Sequence, residues 1–130
     1  MKLFLDCEYN EFRNELVSMA LVSEDGTHEW CVDRYGSVSV EETQNSLQAF
    51  ISQFDSIHLI ADWAEDIRFF SKVLNTVVPS MTMEIFVCVY DDHMQYNALH
   101  YANAMRRNYL MCSFILGDAT PSVKFDRNCL

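Results

Sequence analysis

Apolar and polar positions along this chain recur at two periods, and the switches between them mark its elements. Residues 2–9 (KLFLDCEY) and 15–24 (ELVSMALVSE) are apolar runs of strand length. Asp25-Gly26 follows, a two-residue hairpin signal, and residues 27–33 (THEWCVD) read as the return strand. Together these predict a meander of three antiparallel strands. Ser39 with Glu42 has the spacing of a capping box. Behind it, Val40, Leu47, Phe50, Ile51 and Phe54 recur at helical spacing and predict a helix over 40–54. Residues 56–61 (SIHLIA) predict a short strand. Trp63, Ile67, Phe70, Leu74 and Val77 then restore the helical period, and Pro79 ends that helix. The stretch EIFVCVY, 84–90, fits a helix or a strand by pattern; its length and β-branched content favour a strand. Leu99, Ala102, Met105, Tyr109 and Cys112 share one face of a longer helix over about 94–116. Residues 118–130 show no period and are expected to form a tail.

The order β-β-β-α-β-α-β-α predicts an α/β protein, with a mixed sheet and helices packed on it. At 130 residues the chain reads as one domain, with no repeat or linker. No apolar run approaches the ~20 residues of a membrane span. The first residues lack the basic, then apolar, layout of a secretory signal, so a cytoplasmic location is expected. The five cysteines show no CxxC spacing, which argues against a zinc site or a disulfide framework. Cysteines in apolar segments behave as small hydrophobes. Trp30 and Trp63 are expected as core or rim aromatics, and the methionines as gap-fillers. The net charge of −10, with nine Lys and Arg, argues against a broad footprint on duplex nucleic acid. It fits a small metal-dependent site or a basic protein partner.

Candidate chemistry begins in the first strand. Side chains alternate faces, so Asp6 and Glu8 leave it on the same side. Two acids there repel and lose hydration, and a divalent cation relieves both costs. Solvation at the strand's end is the plainer alternative. In LIADWAEDIRFF, Asp66 falls in the first turn of a helix after a strand, where the helix dipole also favours an acid. Asp62 and Glu65 fit an N-cap and a first-turn acid.

Taken together, these segments resemble the DEDD family of 3′–5′ exonucleases, whose fold is RNase H-like. Relatives include oligoribonuclease, RNase T and the proofreading subunits of bacterial polymerases. F-L-D-C-E-Y is similar to the family's first motif, D-x-E, and makes Asp6 and Glu8 metal ligands by resemblance. A-D-W-A-E-D-I-R-F-F resembles the second motif and puts Asp66 in a ligand position, with Asp62 beside it as a substrate-binding candidate. The third motif of the histidine-type branch is H-x-x-x-x-D. Here the segment is Y-N-A-L-H-Y-A-N-A, with Tyr96 in the histidine position and Tyr101 in the aspartate position.

The resemblance covers about residues 3–107 and implies Mg²⁺ or Mn²⁺, weakened or lost. A phenol titrates near ~10 and binds Mg²⁺ poorly, so Tyr101 does not replace an aspartate. Tyr96 could orient a water but is a weak base. His93 and His100 are the nearest substitutes for the base, and Asp91 or Asp92 for the carboxylate; the plainer reading of Asp92 is a helix cap. Arg106 could touch a phosphate, although Arg106-Arg107 also reads as a solvated helix face. The expectation is a degenerate exonuclease-fold protein. It would bind single-stranded nucleic acid or a basic nucleic-acid-handling protein, with an inhibitor role among the options. The alternative is an active divalent-metal-dependent 3′–5′ exonuclease.

Overall fold

The protein is described from a computed structural model, which covers residues 1–78, 80–87, 97–116 and 122–125. The chain runs β1 (Lys2–Asn10), β2 (Glu15–Ser23), β3 (Glu29–Val32), α1 (Val40–Ile51), β4 (Ile57–Ala61), α2 (Ala64–Leu74), β5 (Met81–Phe86), α3 (Ala98–Leu116) and β6 (Ser122–Phe125). The strands form one mixed sheet in the order β3-β2-β1-β4-β5-β6. β1, β2 and β3 pair antiparallel, as the meander requires, while β4 and β5 run parallel to β1.

Both faces of the sheet are covered. Leu3, Leu5 and Cys7 of β1 and Leu59 and Ala61 of β4 pack with Leu47 and Phe50 of α1 and with Ile67 and Phe70 of α2. On the opposite face Phe4, Ile60 and Phe86 pack against Met105 and Tyr109 of α3. Further along α3, Ala98 and Ala102 lie against Ala20 and Val22 of β2. A central strand covered on both sides reads as a continuous apolar run, which is why KLFL shows no clean alternation. Among the described residues, no helix is long and apolar enough to cross a membrane.

Local chemistry sets the element ends. The capping box at α1 is formed: Ser39 Oγ accepts from the Glu42 N–H, and the Glu42 carboxylate accepts from the Ser39 N–H. The β2–β3 turn needs Gly26 at φ +75°, and an added Cβ would meet Arg106 Nη2 at 3.2 Å.

Several boundaries differ from the sequence expectation. α1 stops at Ile51 rather than 54, where Ser52 closes the helix. α2 ends at Leu74, before Val77, because Asn75 adopts a left-handed conformation at φ 49° and terminates it. Pro79 lies outside the described residues. β5 begins at Met81, not 84, since parallel pairing with β4 starts at Ile57–Met81. Part of the expected tail is ordered: Ser122–Phe125 pairs antiparallel with β5, a backbone partnership that leaves little periodic signal in four residues.

Candidate functional site

The parallel register of β1 and β4 builds the site. Leu5 pairs with Ala61, so the next residues, Asp6 and Asp62, come level where β4 ends, midway along β1. The chain leaves β1 toward β2 on one side and returns through β4 on the other. This is a switch point of the sheet, the place where open α/β sheets form ligand crevices. Asp66 enters from the first turn of α2.

Oxygen atoms of Asp6, Asp62 and Asp66 lie within 4.8 Å of one another. Asp6 and Asp66 are buried and Asp62 is half-buried. Burial, followed by the charges of Asp62 and Glu8, pushes the Asp6 carboxyl up to about 8. Asp66 is held well above the usual carboxylate range, chiefly by burial and then by Asp6 and Asp62. The neighbouring Asp62 favours the protonated form of Asp66, while the Cys7 backbone N–H favours the charged form. One oxygen of Asp6, Oδ2, is buried and has no hydrogen-bond partner.

Glu8 does not join the group of three. It shares the Asp6 side of β1 but lies two residues on, half-buried, where the β1–β2 register shifts between Glu8 and Tyr9. Asp62 is not the N-cap of α2. That place is taken by Trp63, which makes no side-chain cap bond. Sequence reasoning kept Asp62 out of the metal set; the signal it lacked was the Leu5–Ala61 register, which no local pattern carries.

Trp63 is 60% exposed, so it is not a core aromatic. Tyr9 packs on Phe69, with ring centroids 5.2 Å apart. Trp30 is half-buried, and its indole donates to Ser46 Oγ at 2.8 Å. Met105 fills the core as expected, but Met111 is exposed.

Tyr101 is half-buried on the second turn of α3, the end of that helix that packs on Ala20, the register partner of Asp6. His100 is exposed, and its ring stands edge-on to Tyr101 at 5.5 Å. Asn97 caps α3, accepting from the His100 N–H at 3.0 Å. His93, Tyr96, Asp91 and Asp92 lie outside the described residues.

Arg106 is placed away from the acids. Its Nε donates to the Glu24 carbonyl at 2.7 Å, and Glu24 N–H bonds the Lys2 carbonyl at the opposite end of β1. Four residues of strand, at ~3.3 Å each, separate that end from Asp6. Arg106 therefore braces the β2–β3 turn and does not reach a ligand at the acids. Arg68, nearer the site, is engaged by Glu65 at 2.8 Å and by Asn14. An apolar cleft of about 410 Å³ beside α2, lined by Ile67, Leu74 and Met83 among others, includes none of the three aspartates.

The Cys7 thiol is buried and pushed up by burial and the surrounding acids, so it stays protonated as a donor. Cys31 is exposed and Cys112 half-buried; Cys88 and Cys129 lie outside the described residues.

With this geometry in hand, comparison with protein-family models, curated proteins and solved structures finds no match for the chain.

The acids fit a hard divalent cation. Such ions take carboxylate oxygens at ~2.0–2.6 Å, which keeps ligand atoms within about 5 Å of each other. The orphaned Asp6 oxygen has no protein donor.

Proposed function

We propose that this protein is an exonuclease-like domain of RNase H-like architecture that binds the end of a short single-stranded nucleic acid and hydrolyses it slowly or not at all. Asp6 carries the reading. A carboxylate 7% exposed, facing two other acids and holding one oxygen without a donor, is a costly arrangement unless a cation completes it. Bound there, a divalent cation would supply charge for a phosphate oxygen and acidify a water.

The residues around it support binding more than cleavage. Trp63, next in the chain to Asp62, is exposed, and stacking is the sequence-tolerant way to hold an unpaired base. Tyr101, in the position where the resemblance expects a fourth carboxylate, is a neutral phenol. An absent general base alone costs ~10²–10⁴ in rate. Nine Lys and Arg against nineteen Asp and Glu argue for a short ligand contacted at its end rather than a long tract held along its backbone.

Fluorescence anisotropy with short labelled single-stranded RNA and DNA tests this. Binding is expected in Mn²⁺, weakened by EDTA and by Asp6→Ala and Trp63→Ala. Cleavage is expected only in the Tyr96→His/Tyr101→Asp variant. Shortening of the strand by the native protein, abolished in Asp6→Ala, would make it an active exonuclease and overturn the proposal. The net charge of −10 favours a second reading, a basic protein partner. A salt-sensitive protein complex formed without any oligonucleotide binding would select it.

A further inference from the structure

We infer that the site holds a single divalent cation between Asp6, Asp62 and Asp66, with Glu8 outside its coordination shell. The inference rests on the cation-dependent reading above but goes beyond it, to ion count and ligand identity. It also departs from the resemblance, which makes Asp6, Glu8 and Asp66 the ligands of a two-metal site.

Three observations carry it. The first is convergence: one oxygen from each aspartate falls within 4.8 Å of the others, the spread that one hard cation spans. This comes from backbone register, with Asp6 and Asp62 next after the paired Leu5 and Ala61, and Asp66 one helical turn beyond. The second is the orphan. Asp6 Oδ2 is buried and has no hydrogen-bond partner, and a cation facing all three carboxylates would complete it. The third is the position of Glu8. It lies two residues beyond Asp6, beside the shift in the β1–β2 register, and it stays out of the group.

A second ion would need its own carboxylates. Glu8 and Asp6 alone remain for it, since Tyr101 stands where the resemblance puts the other acid. Three monodentate carboxylates fill half of an octahedral shell, and the rest is left to water and a ligand oxygen. This accounts for a site that holds a phosphate without stabilising both the attacking and the leaving oxygen, the task of a paired-ion centre.

Calorimetric Mn²⁺ titration, with free Mn²⁺ followed by electron paramagnetic resonance, tests the inference on the full chain. One ion per chain is expected. Asp62→Asn and Asp66→Asn should each weaken binding by about tenfold or more, since even residues that merely support a ligand are worth that much. Glu8→Gln should stay within about twofold. Unfolding curves in EDTA show that the asparagine variants are folded. Two ions of similar affinity, no ion at all, or a Glu8→Gln loss matching that of Asp62→Asn would overturn it. A chain that binds one ion but no oligonucleotide would sink the proposed function and leave this inference standing.

Discussion

Cys7 gives Asp66 two hydrogen-bond donors. Its backbone N–H reaches the carboxylate, and its thiol reaches the main-chain carbonyl oxygen across 3.7 Å. The residue between Asp6 and Glu8 thus faces the other side of β1 and pins the first turn of α2. Cys7→Ala should lower stability by about 1 kcal/mol, through a small cavity and a lost weak bond. Cys7→Val keeps most of the volume and should cost less. Urea unfolding in EDTA measures both; equal, negligible losses would remove the clamp.

The buried acids make stability depend on pH in an unusual direction. Folding raises the Asp6 carboxyl from 3.8 to about 8 and raises Asp66 as well, so the folded state holds protons that the unfolded chain releases. Their contribution is full below about pH 4 and is lost as pH rises toward 8. Asp25 acts with the opposite sign: held low by Ser23 and Thr27, it favours folding above the ordinary carboxylate range and loses that effect in acid. Without metal, stability should fall between pH 5 and pH 8 by a few kcal/mol. Mn²⁺ should flatten the slope. Chemical denaturation across that range checks it, and a rise with pH would contradict the burial of these carboxylates.

Asp66→Asn should stabilise the metal-free protein at pH 8 by about 1–2 kcal/mol, because it removes a buried acid that Asp6 and Asp62 crowd. The same variant should lose Mn²⁺-dependent stabilisation. Thermal melts with and without Mn²⁺ separate the two effects.

Glu84 is wholly buried beneath α3, where it meets His58 and accepts from the Tyr109 hydroxyl at 3.3 Å. Tyr109→Phe keeps the ring contacts with Phe4 and Phe86 but removes that donor. A loss of about 1–2 kcal/mol is expected in urea unfolding, with no change in Mn²⁺ affinity.

Arg106→Gln should weaken the β2–β3 turn and leave oligonucleotide binding unchanged, since the guanidinium is committed to the Glu24 carbonyl. A selective loss of oligonucleotide affinity would instead return it to a ligand.

Much of the fold is legible from local chemistry. The meander, the capping box at Ser39 and Glu42, and the alternation of later strands and helices follow from residue period, turn residues and caps, which act over a few neighbours. The sequence also marked Asp6 and Asp66, because acids in an apolar strand and in a helix's first turn are visible as local exceptions. It did not show the pairing of Ser122–Phe125 with β5, since backbone ladders between distant segments leave no periodic trace. Nor did it show which acids meet. Asp62 next to Asp6, Glu8 apart from them, and Arg106 at the far end of the sheet all depend on strand register and helix placement, which long-range packing sets. The sequence by itself determined that acids lie within and beside buried elements; only the tertiary structure decided that three of them share one small volume, leaving an oxygen with no donor.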